Sequence, residues 1–288
     1  MLDRIDREMS SYRSDSELSQ FNQSMSTAWI NVSAETVRVV DEAQRISVLS
    51  YGAFDITVDP LVKLWGFGPE RHTRVPDQTI ISEMQKRVDY NLLKIQHDPP
   101  ALRKIRPDVS IDLGAIGKGY AADAVGECLS KIGVSNYLVA IGGELCARGK
   151  SENNRPWHTG IETPVAHLRG IQCVIELCDR GIATCGDYRN FYESAGKHYC
   201  HIIDPHTGAP VAHNLASVTV ICNSTMEADA MGAALMVLGP DAGMKLASKM
   251  KLPVLFIQRQ ANGFKEVETP EFEKMRVASA NVTRGNNP

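Results

Sequence analysis

Hydrophobic positions fall into short runs whose period changes repeatedly along the chain. Leu2, Ile5 and Met9 recur at helical spacing, so residues 2–12 are expected to form an amphipathic helix. Val37, Val40 and Ala43 mark one face of a second helix over 33–49, with Ser33 as its N-cap. Residues 52–58 read as a turn leading into a short strand, and Pro60 and Gly66-Phe67-Gly68-Pro69 as breaks in regular structure. The polar segment 70–80 is expected to be a loop. Short strands are predicted at 92–95 and 101–105, around the Asp98-Pro99-Pro100 turn. A helix follows the glycine-rich stretch 112–120, runs to about Ile132 and stops at Gly133. Further strands are predicted at 137–141, 157–162, 170–177, 199–203 and 217–222, with a glycine-punctuated stretch through Gly186. An apolar helix over 227–238 ends at Gly239-Pro240, and a helix near 241–250, a strand at 253–258 and a charged tail complete the pattern. Strands and helices mix without regular βαβ alternation, internal repeat or linker. The expectation is an α+β fold in a single domain over 1–288.

Composition changes this picture little. With 288 residues, 43% hydrophobic and 23% charged, the chain is ordinary for a globular protein and long enough for a substantial core. Its 31 basic and 34 acidic residues give a net charge of −3, without a basic stripe, so nucleic acid is not expected as a partner. No apolar stretch approaches the 18 residues of a membrane span, and no membrane anchor is visible. The charged start, Met1 to Glu8, has no signal-peptide core and taken literally reads as cytoplasmic. Seven cysteines without CxxC spacing argue against a disulfide framework or a zinc ribbon.

Four stretches carry candidate chemistry. In Asp112-Leu113-Gly114-Ala115-Ile116-Gly117-Lys118-Gly119, a strand entering a glycine-rich turn and helix can aim N–H groups and a lysine at phosphates. A plain tight turn with Lys118 in solvent fits equally well, and neither Walker nor Rossmann spacing is present. Gly142-Gly143-Glu144 after an apolar strand permits close approach of a ligand, or is simply a turn. The polar runs 183–191 and 201–210 suit a site loop. There His201 is a candidate general base, or a satisfied half-buried histidine, and Cys185 with His201 is a rival nucleophilic pair. Asp229, near the start of an apolar helix, either caps that helix or faces a hard cation.

The order and spacing of SSYRSDSELSQFN, GAFDITVDPLVKLWGFGP, SIDLGAIGKGYAAD, NYLVAIGGE, ATCGDYRNF, HIIDPHTGAPV and ADAMGAALMVLG closely resemble the ApbE family, the FAD:protein FMN transferases. The resemblance covers nearly the whole chain. It implies mixed, largely antiparallel sheets flanked by helices, FAD in a cleft, and Mg²⁺ at the pyrophosphate. Members attach FMN to a Thr hydroxyl of a partner, typically a flavoprotein subunit of a redox-driven ion pump, releasing AMP. Some chiefly hydrolyse FAD to FMN and AMP. Carried onto this chain, FAD contacts fall on Tyr12, Ala53, Phe54, Asp55, Asp112, Lys118 and Ile203. Metal ligation falls on the Ala115 carbonyl and Asp229, and His201 becomes the base for the accepting hydroxyl, with Lys118 as a fixed positive charge.

Three features depart from the family pattern. Ala233 stands where the family has a metal-binding Thr, one helical turn from Asp229, so a weakened metal site is expected. Cys185 replaces a Ser. The family's export signal and first strand are not seen, although members are commonly periplasmic or held at the inner membrane. The readings are therefore an Mg-dependent flavin transferase, an FAD pyrophosphatase, or a degenerate FAD-binding protein without turnover.

Overall fold

The computed structural model describes residues 1–166 and 170–277. Its centre is a six-stranded sheet in the spatial order Gly263–Glu268, Val254–Gln260, Leu215–Cys222, Gly181–Gly186, Glu144–Arg148, Tyr137–Ile141. A three-stranded sheet (Ile30–Asn31, Pro100–Lys104, Leu93–His97) and three two-stranded ribbons surround it. Every pairing among the described residues is antiparallel, in keeping with the expected α+β fold. Leu215–Cys222 is buried along its whole length, because sheet neighbours flank it and the long helix covers it.

Helices Gly117–Lys131 and Thr225–Met250 pack together on the six-stranded sheet, and Ala34–Leu49 packs between the second of them and the three-stranded sheet. Ser33 caps Ala34–Leu49 as its spacing predicts, its side chain accepting from the Thr36 N–H. One hydrophobic cluster runs from Ile5 and Phe21 through Val40, Ile116 and Val218 to Met231 and Phe256. The opening helices and the central sheet thus share a core. No helix among the described residues is long and apolar enough to cross a membrane.

Several local expectations need correction. The opening helix is Leu2–Met9, shorter than 2–12. The strand expected after Gly52 is a 3₁₀ turn, Ile56–Val58, running into helix Asp59–Leu64. Asp55 accepts from the Thr57 N–H at 2.8 Å, which curls the backbone, and Pro60 sits in a first helical turn where no N–H donor is needed. Helix Gln78–Gln85 begins inside the supposed loop; it buries only Ile81, so its pattern carries little signal. Gly181–Gly186 is a core strand, and Gly263–Glu268 is a strand in the supposed tail. The strand expected over 199–203 is two pieces, Lys197–Cys200 and Ile203–Asp204. The end of the tail, 278–288, lies outside the described residues.

The break expected at Gly239-Pro240 is present within Thr225–Met250, where Gly239 has φ 75° and ψ −177°. Pro240 has no N–H to give to the Met236 carbonyl. His213 fills that role, its Nε2 lying 2.7 Å from the Met236 oxygen while its Nδ1 accepts from the Leu215 N–H at 3.3 Å.

At the other end of this helix, both oxygens of Asp123 accept from its first turn, from the Thr225 and Met226 N–H groups at 2.9 Å each. Gly119 lets the two helices touch, since a Cβ there would collide with the Thr225 carbonyl and lie 2.8 Å from the Asp229 Cβ. Gly119→Ala is therefore expected to destabilise the fold by ~1–3 kcal/mol, read as a melting point lowered by several degrees.

Candidate active site

A cavity of about 770 Å³ opens between the sheet end, the Gly117–Lys131 helix and the loops after Gly52 and Gly186. That volume lies within the range of small-molecule sites. Its wall includes Tyr12, Ala53, Phe54, Asp55, Asp112, Ala115, Lys118, His201, Ile203, Asp229 and Ala233. The fold thus brings together all the residues singled out from the sequence. They differ in what they are free to do.

Tyr12 stands exposed at the mouth, whereas Ala53, Phe54 and Ile203 are buried in the wall. Asp55 is committed internally. One oxygen accepts from Thr57 Oγ1 at 2.7 Å as well as the Thr57 N–H, and the other from the Tyr90 N–H at 2.8 Å. Burial pushes its carboxyl up to about 6, against the pull of those bonds. Its carboxylate shapes the loop that carries Ala53 and Phe54 to the cavity. Asp112 closes the glycine turn by accepting from the Gly114 N–H at 2.8 Å, and its pKa is raised by burial.

Lys118 is the electrostatic centre. Its Nζ lies 3.1 Å from Glu144 Oε1, 3.7 Å from Asp229 Oδ1 and 3.2 Å from the Gly114 carbonyl. Partial burial works against its charge, but Asp229 and then Glu144 outweigh this and the net push is upward, keeping it an ammonium. Asp229 is 7% exposed, and its Oδ2 accepts from the Gly119 N–H at 3.0 Å. It does not cap its own helix; Ser224 does, accepting from the Glu227 N–H at 3.1 Å. One N–H of the glycine turn therefore goes to a carboxylate of the protein, while Lys118 stays on the cavity wall. Burial raises the Asp229 pKa, and Lys118 opposes the rise.

Glu144 was weak in the sequence, being the last residue of a glycine turn. Here it is 5% exposed, and its Oε2 is buried with no hydrogen-bond partner. Burial first, then the Asp229 charge, push its carboxyl up to about 7, with Lys118 pulling the other way. The missed signal was the hairpin that turns at Gly142 and Gly143 and sends Glu144 back beside Lys118.

His201 is half-buried, edge-on to Phe67 at 6.4 Å, and its Nδ1 lies 3.2 Å from the Asn190 carbonyl. A carbonyl only accepts, so Nδ1 carries the proton and Nε2 is left as a lone-pair acceptor in the cavity. Burial lowers its pKa and favours this neutral form. Cys185 is a poor nucleophile, because burial and then the Asp229 charge drive its thiol strongly upward. The rival cysteine–histidine reading loses its reactive thiolate. Ala233 offers no side-chain donor at its place on the wall.

Among the described residues, no group of three or more His, Cys, Asp or Glu side chains is disposed to hold a metal. The oxygen set of Asp229, the Ala115 carbonyl and the unpartnered Glu144 Oε2 nevertheless has the hard-donor character that Mg²⁺ selects, with few carboxylates.

The chain as a whole is similar to known proteins. The model of the ApbE family matches residues 1–256. The FAD:protein FMN transferase of Vibrio cholerae is 42% identical over 274 residues, 95% of this chain and 81% of that protein. That of Escherichia coli K12 is 40% identical over 283 residues, 97% and 81% of the two chains. The solved flavin transferase ApbE from Vibrio cholerae superposes with a TM-score of 0.87 at 41% identity, over 95% of this chain and 87% of the other. An ammonium held between two carboxylates, a histidine with a free ring nitrogen, and a family match over most of the length lead to one conclusion: the chain belongs to the ApbE family.

Proposed function

We propose that the chain is an FAD:protein FMN transferase that moves the FMN half of FAD onto a Thr hydroxyl of a flavoprotein acceptor and releases AMP. The observation that carries this reading is Lys118 held beside Asp229 and Glu144, in the same cleft as a neutral His201. His201 Nε2 takes the proton of the accepting hydroxyl as its oxygen bonds to the FMN phosphorus. The bond from that phosphorus to the bridging oxygen breaks, and AMP carries away the electron pair. Lys118 offers fixed positive charge to the pyrophosphate oxygens. Asp229, the Ala115 carbonyl and Glu144 would hold Mg²⁺, which when bound adds positive charge at the breaking P–O bond. Following the family, the acceptor would be a subunit of a redox-driven ion pump, met in the periplasm or at the inner membrane.

The test incubates the protein with FAD, Mg²⁺ and a family-type acceptor, then reads the acceptor's intact mass. A gain of one FMN supports the reading. Free FMN and AMP without a mass gain would replace it with an FAD pyrophosphatase. FAD retained intact would leave a degenerate flavin-binding protein, the reading that Ala233 favours. Ala233→Thr, restoring a hydroxyl one turn from Asp229, is expected to lower the Mg²⁺ concentration for half-maximal transfer several-fold. An unchanged Mg²⁺ titration would show that position 233 does not serve a cation.

A further inference from the structure

A transferase that modifies a protein must seat an extended piece of that protein beside the bound flavin. The ribbon Trp157–Glu162/Ile171–Leu177 has the geometry to do so. On its inner strand, the Glu176 N–H donates to the Met275 carbonyl at 2.8 Å and the Val277 N–H to the Val174 carbonyl at 2.9 Å. Val174 and Glu176 thus turn their main-chain groups away from Trp157–Glu162. Alternation then turns those of Cys173, Ile175 and Leu177 toward it. Their partners in register are Ile161, Thr159 and Trp157, and the Thr163 N–H to Gly170 carbonyl bond, 2.9 Å, keeps the same phase. The N–H and C=O groups of His158, Gly160 and Glu162 therefore face the other way. Among the described residues, none of these groups takes a partner.

This free edge borders the active site, since Gly160 and Glu162 lie on the cavity wall. The other free edges on that wall among the described residues are shorter: the two-residue strand at Ile203, and Thr184 to Gly186, beyond the last pairing of Gly181–Gly186 with Glu144–Arg148 at Ile182. The three outward positions span ~13 Å, enough to pair with about five residues of an extended chain. A Cβ at Gly160 would meet the side chain of Ile171 at 3.3 Å, on a face of the ribbon and clear of its edge.

We infer that the free edge of Trp157–Glu162 is where the acceptor docks: an extended acceptor segment adds to it as a further strand and so delivers its Thr hydroxyl into the cleft. The inference rests on the proposed transferase reading. Main-chain pairing supplies affinity for an extended segment, and pockets for its alternate side chains supply sequence specificity.

The test compares Gly160→Pro, which deletes one outward N–H at a position where an edge strand tolerates proline, with Gly160→Ala, which keeps it. Transfer to the acceptor protein is followed by intact mass, and FAD affinity and melting point are measured alongside. Gly160→Pro is expected to raise the KM for acceptor at least tenfold, with FAD affinity and melting point held, while Gly160→Ala stays within about threefold of the parent. An unchanged KM in Gly160→Pro would overturn the proposal. So would loss of a dimer of this chain in Gly160→Pro with KM unchanged, which would give the edge to self-association. A second measurement uses the unaltered enzyme with Thr-bearing acceptor peptides N-methylated at one residue at a time. Loss of transfer at every second position supports strand addition, and loss without that phase overturns it. If the unaltered enzyme transfers FMN to no acceptor, the function reading itself fails and this proposal with it.

Discussion

Asp229→Asn is expected to reduce Mg²⁺-dependent flavin transfer by at least ~100-fold while leaving the fold intact. The asparagine carbonyl can still accept from the Gly119 N–H, now made at 3.0 Å, so the contact between the two helices survives. What disappears is the negative charge beside Lys118 and the strongest candidate oxygen for a divalent cation. Loss of a cation that stabilises phosphoryl transfer accounts for several kcal/mol of barrier, which sets the size of the effect. The sign of the stability change separates the two roles. Burial raises the Asp229 pKa, so the folded state holds this proton more tightly than the unfolded chain. Such a group weakens the fold as pH rises from the ordinary carboxylate value through the raised one, and the penalty persists above it. Asparagine removes the penalty. The variant should melt no lower than the parent at neutral pH, and turnover at the parent's rate would sink the metal assignment.

His201→Ala is the second large effect, an expected loss of ~10²–10⁴ in turnover with FAD affinity nearly unchanged. The ring is anchored through Nδ1 to Asn190 and touches the wall edge-on, so its removal subtracts an acceptor for one proton. Its pKa is lowered from 6.5, mainly by burial. The base is thus unprotonated at neutral pH and is lost only as pH falls below that ordinary value. The parent's rate should fall on the acidic side and stay level through neutrality, and the variant's residual rate should lack that acidic limb. The same shift makes the folded state more stable above 6.5 than below its lowered value, because the unfolded chain binds the proton first. Equal losses of FAD affinity and turnover would make His201 a wall residue instead of a base.

The sequence disclosed the site better than the framework. Asp112 and Lys118 lie far in the chain from His201 and Asp229, yet all four meet in one cavity; the first three sit in runs of glycines and polar residues, and Asp229 is a lone acid in an apolar helix. The framework was misread where glycine served packing instead of turning. Gly181 opens a core strand because a Cβ there would strike the start of the long helix, at the Ser224 carbonyl carbon and the Thr225 nitrogen. From sequence alone that glycine looks like any other break. Glu144 and Asp123 were missed for a different reason. Their roles come from partners 26 and 102 residues away (Lys118 and Thr225), and no local pattern encodes such a meeting.

The interruption at Gly239-Pro240 divides one long helix into halves with different freedom to evolve. The half that carries Asp229 and Ala233 is fixed at its start by Asp123 and at its end by the His213 side chain on Met236. Beyond Gly239 the chain begins again in a new direction, with no continuous rod through which to push. Exchanges at the exposed positions of 241–250 therefore have no lever arm on the carboxylate at 229, and Gly243, Leu246 and Ala247, which the core holds, tie that outer half to the rest.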